Sequence, residues 1–362
     1  MLLPLAAAGS LAAALGIVAA YALWLMRAKP LRGSAGTRPE DVLIVVPMFD
    51  EAPLIERKLA NLAALTIPRR VVIVDGGSTD GSVEIVRTWI SGREAFSLLE
   101  TTHRNKTAQL NDALRLNPAE EWILVTDADA LLEPETLERM LDVAAADARV
   151  AVVGSHVRPA AAHALESLHW SATDWLRARE SDRGSAGIVA APCYLAHRDV
   201  LAHMPDDTLA DDVHVTCRAM LAGGRVGHAA DAAVMELRSP RTLRALVRHK
   251  YRKADAYLRE IVRFVPQVRR MPRPMRTIFL WRAALLTLVP LFGVIGAATA
   301  VATSFAALIG AAILAILLFI IPPARGFALA ALLTAVSAAA LLMHPFSRQQ
   351  ASFPKILRAS EY

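Results

Sequence analysis

Two cysteines in 362 residues, Cys193 and Cys217, form no C-x-x-C and no framework of spaced pairs. That excludes a disulfide-stapled secreted scaffold; it suits a reducing compartment, with both thiols as small core residues. The chain also lacks G-x-S-x-G, H-E-x-x-H and a Walker loop, so it offers no ready nucleophile elbow, zincin helix or P-loop. Charge is missing from all of residues 1–26, a run long enough to cross a bilayer as a helix. A cleaved signal would carry its positive charge before the apolar run. Here Arg27, Lys29 and Arg32 follow it, which predicts an uncleaved anchor with its N-terminus outside and the chain beyond Arg27 in the cytoplasm.

What is abundant is apolar residue, 54% of the chain, with a mean hydropathy of +0.36. Residues 283–321 form a second uncharged run, of a length for a tight helical hairpin, and Pro322-Pro323 and Arg325 break it. Residues 327–343 are a third, shorter run. Four crossings put the tail outside, whereas Arg348, Lys355 and Arg358 favour the cytoplasm; either the last segment does not cross or the tail breaks the charge rule. Positive charge is concentrated in residues 238–276, where 13 Lys/Arg face only Asp255 and Glu260 in a chain of net charge +6. This patch runs into an apolar segment and interleaves Tyr257, Leu258, Ile261, Val262, Phe264 and Val265. It reads as a basic amphipathic segment on anionic headgroups rather than a nucleic-acid surface.

Between these membrane signals, strand and helix alternate, as in a doubly wound α/β domain. Strands are expected at 41–47, 71–75, 96–100, 122–126, 150–155 and 187–196. Phe49-Asp50-Glu51-Ala52-Pro53 is expected to turn into a helix through about Leu65, and further helices are expected from the Ser78–Asp80 region to Trp89 and at 105–117, 134–146, 163–179 and 208–221. Residues 28–40 read as a linker and 238–265 as a basic helix. Two apolar runs end in carboxylates. VVIVDGGSTDGS delivers Asp75 into a glycine turn, and WILVTDADA delivers Asp127 and Asp129 one residue apart. Open α/β sheets bind ligands at the C-terminal ends of their strands. Two carboxylates one residue apart there can hold a hard divalent cation, which in turn holds phosphate oxygens.

The motifs in order, Pro47-Met48-Phe49-Asp50-Glu51, Asp75 to Ser82, Lys106 with Asn111, Asp127-Ala128-Asp129 and Ala210-Asp211-Asp212, resemble glycosyltransferase family 2. Members are membrane-associated inverting enzymes with a GT-A fold. The resemblance covers about residues 41–255 and implies a GT-A-type mixed α/β sheet at 41–237. It implies that Pro47, Glu51 and Asp75 hold the nucleotide of a donor, expected to be a UDP-sugar, and that Lys106 is a counter-charge to its diphosphate. Asp127 and Asp129 then bind the diphosphate through Mg2+ or Mn2+, and Asp212 is the general base. Asp stands at 211 where the family usually has Glu, so Asp211 is a second catalytic candidate.

Chemically, displacing a nucleoside diphosphate needs charge neutralised on the leaving group and a carboxylate to take the incoming hydroxyl's proton. Processive members carry Gln-x-x-Arg-Trp before the membrane return. The corresponding place reads His249-Lys250-Tyr251-Arg252-Lys253, which keeps Arg252 and lacks the aromatic platform. The expectation is therefore single transfer to a lipid-linked or glycan acceptor at a bacterial inner membrane, multi-pass, without nucleic acid, with His249 and Arg252 on the acceptor and diphosphate side. Processive synthesis, a non-catalytic sugar-nucleotide sensor or scaffold, and a dehalogenase-type phosphatase are the alternatives. The last needs a different sequel to its Asp-x-Asp than Thr126–Ala130 provides.

Overall fold

The computed structural model describes residues 2–27, 34–67, 69–303 and 325–346. The first six residues of the expected linker (28–33), the later part of the expected hairpin with Pro322-Pro323 (304–324), and the tail with Arg348, Lys355 and Arg358 lie outside them.

The elements run α1 (Leu2–Met26), β1 (Val42–Met48), α2 (Ile55–Ala63), β2 (Arg70–Asp75), α3 (Ser82–Ile90), β3 (Phe96–Glu100), α4 (Lys106–Leu116), β4 (Trp122–Thr126), β5 (Ala130–Leu132), α5 (Thr136–Ala145), β6 (Val150–Pro159), α6 (Ala164–Asp182), β7 (Cys193–His197), α7 (Arg198–Leu201), α8 (Asp211–Leu221), β8 (Arg225–Glu236), α9 (Leu243–Phe264), a 3-10 turn (Val265–Arg270), α10 (Arg273–Thr303) and α11 (Arg325–Met343). The strands form one mixed sheet in the order β3-β2-β1-β4-β7-β6-β8-β5. β3, β2, β1 and β4 run parallel; β7 is antiparallel to β4 and β6; β6 and β8 are parallel; β5 closes antiparallel on β8.

β1 is buried along its length, as a continuous β-branched run in the centre of a parallel sheet should be. Ile44, Val46, Ile55, Leu59, Val86, Leu137 and Met140 pack on one face under α2, α3 and α5. Leu43, Val45, Leu110, Val200, Val215 and Ala219 pack on the other under α4, α7 and α8.

The structure departs from the pattern reading in places. β1 continues past Pro47 to Met48, whose carbonyl then accepts from Gly76 N–H (3.0 Å) and Gln109 Nε2 (3.2 Å). Residues 49–53 make the expected turn and the helix after it starts at Ile55, with side chains from the Asp75–Ser82 loop taking the turn's backbone N–H groups. Ser78 Oγ accepts from Asp50, Ser82 Oγ from Glu51 and Asp80 Oδ2 from Ala52. Of 187–196 only the last four residues pair, in β7, which continues to His197.

Three helices are long and apolar enough to cross a membrane, Leu5–Met26, Arg273–Ala302 and Arg325–Phe346. The first of these packs antiparallel on the second: Tyr21 stacks on Trp281, and Leu11 and Ala7 meet Gly296. The basic segment is not a simple surface helix. α9 buries Leu246, Lys250, Asp255, Leu258, Glu260, Ile261 and Phe264, and its two acids take Arg259, Arg263, His214 and His344.

Candidate active site

The sheet edge where β1, β2 and β4 end gathers the acidic motifs. Asp75 is buried at the end of β2, and its carboxylate accepts from Gly77 N–H (2.8 Å), Ser78 N–H (3.0 Å) and Ser78 Oγ (2.5 Å). Gly77 has φ of +84°, and a Cβ at Gly76 would sit 2.4 Å from Gln109 Nε2. The close approach at this turn is thus to the protein's own α4, and Asp75 holds the turn's shape.

Asp127 to Asp129 make the turn between β4 and β5. Ala130 N–H donates to Asp127 C=O (3.1 Å), Asp127 N–H to Pro192 C=O (3.0 Å), and Leu237 N–H to Asp129 C=O (2.9 Å). Beneath it, the fully buried Lys58 amine donates to Thr126 Oγ1 (2.8 Å) and to Ala130 C=O, spanning both ends of the turn. Burial pushes Lys58 down to about 8, against the fields of Asp127 and Asp129.

Lys106 opens α4 behind the Asn105 cap, and its Nζ lies 2.8 Å from Asp127 Oδ1 and 3.0 Å from Asp211 Oδ2. One amine therefore ties the Asp-x-Asp turn to the start of α8. Tyr194 Oη donates to the same Asp211 oxygen (2.7 Å), brought there because Val125 pairs with Tyr194 in the β4–β7 register. Asp211 is thus a buried, twice-held carboxylate. Asp212 beside it is half-buried, and its carboxylate accepts only from the next residue's N–H, Val213 (2.9 Å), among the described residues. Burial first, and Asp211 second, push Asp212 up to about 6, against Lys253 and Lys106. That is a carboxylate poised to accept a proton near neutral pH.

Glu51 pairs with Arg238 (2.7 Å), bringing the β1 end to the segment after β8. Burial raises the Glu51 carboxyl against that partner. Asp129 is pushed up to about 8, by burial and then by Asp127, Glu236 and Glu51, with Arg238 opposing. Among the described residues no three His, Cys, Asp or Glu side chains form a ready-made metal cage. Carboxyls raised first by burial and then by one another nonetheless fit a hard cation whose other ligands are water and phosphate oxygens. Mg2+ or Mn2+ suits these oxygens; a softer metal does not.

So the structure brings together Asp127, Lys106, Asp211 and Asp212, with Glu51 and Asp129 beside Arg238. Pro47 lies buried within β1. His249 sits on α9 with Nε2 buried and without a hydrogen-bond partner, and no ion pair links it or Arg252 to Asp211 or Asp212 among the described residues. Sequence reasoning missed Tyr194, Lys58, Arg238 and Glu236. It also passed over Lys253 as a missing tryptophan, and Lys253 is the α9 residue whose charge reaches Asp212.

A model of the family described as "Glycosyl transferase family 2" matches residues 43–204. The chain is 33% identical over 114 residues to the succinoglycan biosynthesis protein ExoA of Rhizobium meliloti (strain 1021), 31% of this chain and 34% of that protein. It is 29% identical over 116 residues to an undecaprenyl-phosphate 4-deoxy-4-formamido-L-arabinose transferase of Yersinia enterocolitica, 31% of this chain and 36% of that one. The chain thus spans about a third of the length of the curated relatives it matches. The solved mannosyltransferase PcManGT from Pyrobaculum calidifontis, in complex with GDP-Man and Mn2+, is similar over 96% of this chain and all of that one. Its TM-score is 0.80 at 27% identity.

Proposed function

We propose that this chain, which belongs to glycosyltransferase family 2 and has a GT-A fold, is a membrane-bound inverting transferase. It moves one sugar from a nucleoside-diphosphate sugar to a hydroxyl of a lipid-linked or glycan acceptor. The observation that carries this reading is Lys106, whose single amine joins Asp127 to Asp211 and so sets the base candidate Asp212 beside the diphosphate side of the site.

In this reading Glu51 and Asp75 shape the nucleotide end behind Pro47. Asp127 and Asp129 would hold the divalent cation, which neutralises charge on the leaving diphosphate. Lys106 adds a second positive charge there. Asp212 takes the proton as the acceptor oxygen bonds to the anomeric carbon and the carbon–oxygen bond to the nucleoside diphosphate breaks, with inversion. Tyr194 and Lys106 keep Asp211 in place, so that the unencumbered carboxylate of Asp212 is the one that works.

Single transfer is favoured over processive synthesis, because the position of the processive motif's tryptophan holds Lys253, a cation near Asp212, and not an apolar sugar platform. The three apolar helices, and the positive charge after the first, support a bacterial cytoplasmic membrane with the catalytic domain inside.

The test is nucleotide release by the full chain in nanodiscs, screened over UDP-, GDP- and dTDP-sugars with Mg2+ or Mn2+, with and without lipid extract. One donor should be turned over in a metal-dependent, lipid-stimulated way, with Asp129→Asn and Asp212→Asn both inactive. Metal-dependent nucleotide binding without release from any donor would instead favour the sensor or scaffold.

A further inference from the structure

α2 turns the apolar stripe Ile55, Leu59 and Leu62 into the core, and Lys58 lies within that stripe, fully buried where the helical pattern calls for a hydrophobe. Lysine is almost never fully buried unless it is paired. Here the amine donates to Thr126 Oγ1 (2.8 Å) and to the Ala130 carbonyl, both neutral, and no carboxylate pairs with it among the described residues. A buried charge held only by neutral oxygens is costly, so its compensation comes through the field of acids further off.

Those acids sit at the Asp-x-Asp turn. Thr126 and Ala130 bracket Asp127 and Asp129, and the burial that pushes Lys58 down to about 8 is opposed by the fields of Cys193, Asp127 and Asp129. The same helix grips the strand after the turn a second time, and without charge. Asn61 Nδ2 donates to the Leu132 carbonyl (2.8 Å), and Leu132 N–H donates to Asn61 Oδ1 (2.9 Å). Holding β5 against α2 therefore does not by itself call for a cation at 58.

The other acids at this edge have nearer partners. Asp127 has Lys106 (2.8 Å), Glu51 has Arg238 (2.7 Å), and Glu236 accepts from the Ser239 hydroxyl (2.6 Å). The Asp129 carboxylate has neither an ion pair nor a hydrogen bond among the described residues, and burial, Asp127, Glu236 and Glu51 all oppose its ionised form. A fixed positive charge beneath the turn acts in opposite senses on the two ions brought together above it. It repels a divalent cation and attracts a diphosphate.

We propose that Lys58 is a permanent internal cation of the Asp-x-Asp turn, which leaves Mg2+ or Mn2+ loosely held on its own and favours the metal arriving together with the diphosphate. In the transferase reading above, on which this rests, Lys58 touches neither substrate nor metal. It is a positioning residue, acting through the turn that it braces and the field that it casts.

The test titrates cation and anion separately on the full chain in detergent, with no sugar donor. Free Mn2+ is followed by its electron paramagnetic resonance signal, and UDP and GDP are titrated in EDTA by calorimetry. Lys58→Met, of similar length, should bind Mn2+ alone about fivefold or more tighter than the parent, and the preferred nucleotide severalfold more weakly. Lys58→Gln, which keeps an N–H donor and loses the charge, should shift both in the same directions, and it decides the matter if Lys58→Met fails to fold. Lys58→Arg keeps the charge and should not tighten Mn2+. Adding Asp129→Asn to Lys58→Met should abolish the gain. Opposite shifts for cation and anion mark a field, whereas a distorted turn weakens both. Mn2+ affinity unchanged or weakened in Lys58→Met and Lys58→Gln overturns the proposal, as does Lys58→Arg tightening Mn2+ as much as Lys58→Met. Because no donor is turned over, tighter Mn2+ in Lys58→Met on a chain that transfers no sugar counts against the transferase alone. Sugar transfer with Mn2+ affinity unmoved by Lys58→Met counts against Lys58 alone.

Discussion

Lys106 is the residue on which the site's electrostatics turn. Its amine stands between two carboxylates at 2.8 and 3.0 Å, one at the Asp-x-Asp turn and one at the head of α8. Lys106→Met would leave Asp127 and Asp211 facing each other without a counter-charge. It also removes a positive charge from the diphosphate side of the site, so kcat/KM for the donor should fall about a hundredfold, about 3 kcal/mol of lost transition-state stabilisation. Lys106→Arg should restore little, because a planar fork does not reproduce a point charge between two acids. Activity within threefold of the parent would remove Lys106 from the mechanism. The second expectation at this scale concerns pH. Asp212 sits at about 6 because burial and Asp211 outweigh Lys253 and Lys106. A base works ionised, so the rate should be level above that pH and fall about tenfold per unit below it. Lys253→Met removes a cation that favours the ionised form, so the acidic limb should move up. A profile flat from pH 7.5 to 5, or a limb unmoved by Lys253→Met, would point to another base.

Among the elements, α6 is the hub. Asp174 ties it to β6 and β8 through His156 and His228. One turn later Arg177 stands near Asp212, and one turn beyond that Glu180 holds the apolar helices. Glu180 is fully buried and takes Arg282 through two bonds (2.6 and 2.9 Å), Gly187 N–H (2.7 Å) and the Tyr21 hydroxyl. Glu180→Ala should strand the Arg282 guanidinium and lower stability by about 3–5 kcal/mol. Tyr21→Phe, which removes one neutral donor, should cost about 1 kcal/mol. Combining Glu180→Ala with Arg282→Met should recover part of the loss, since removing both charges spares the uncompensated one. Thermal inactivation midpoints in one detergent would compare the three, and a double variant no better than Glu180→Ala would show that the pair is not what docks the helices. None of this was legible in the sequence, where residues 163–179 show only helical periodicity and Glu180 falls beyond their end. β1, β2, β3 and β4 were legible because they are short continuous apolar runs ending in turn residues, and the acidic motifs followed from them. β8 was not. Apart from Val226 and Val234 its buried positions are Ala, Gly, His, Arg and Glu, and the irregularity opposite Ser155 and His156 breaks the two-residue alternation. Its loss hid Glu236 and Arg238, and with them half the charge around Asp129. Tyr194 and Lys58 act through register and burial, which no local pattern encodes.

At the scale of the whole molecule, the way α11 lies on the domain bears on where its two ends sit. Near its start, Ala328 and Leu329 pack on Leu165 of α6 and Leu246 of α9. Its middle, Leu332 to Ala339, walls a cleft of about 970 Å³ whose other side is Leu243, Arg244, Val247, Arg248 and Tyr251. Just past its end, His344 Nδ1 approaches Asp255 Oδ1 of α9 at 3.4 Å. Both ends therefore rest on α9, and α9 carries too many charges to enter hydrocarbon. The first two apolar helices form an antiparallel pair on which Ala7 meets Gly296, and α11 touches that pair where Thr334 meets Gly293 of α10. The prediction is that α11, though long and apolar enough to cross, lies along the domain face with both ends in the cytoplasm. Arg325 is then on the side that positive charge prefers. Cys193 and Cys217 are buried, so single introduced cysteines can be read against a silent background. Phe327→Cys and Phe346→Cys, at exposed positions flanking α11, should react with an impermeant maleimide in inverted vesicles but not in right-side-out ones, as should Glu40→Cys beside the domain. Leu5→Cys, at the far end of α1, should show the reverse. If Phe327→Cys and Phe346→Cys label from opposite faces, α11 crosses the bilayer, and its contacts with α9 must then be made by a helix only partly seated in the membrane.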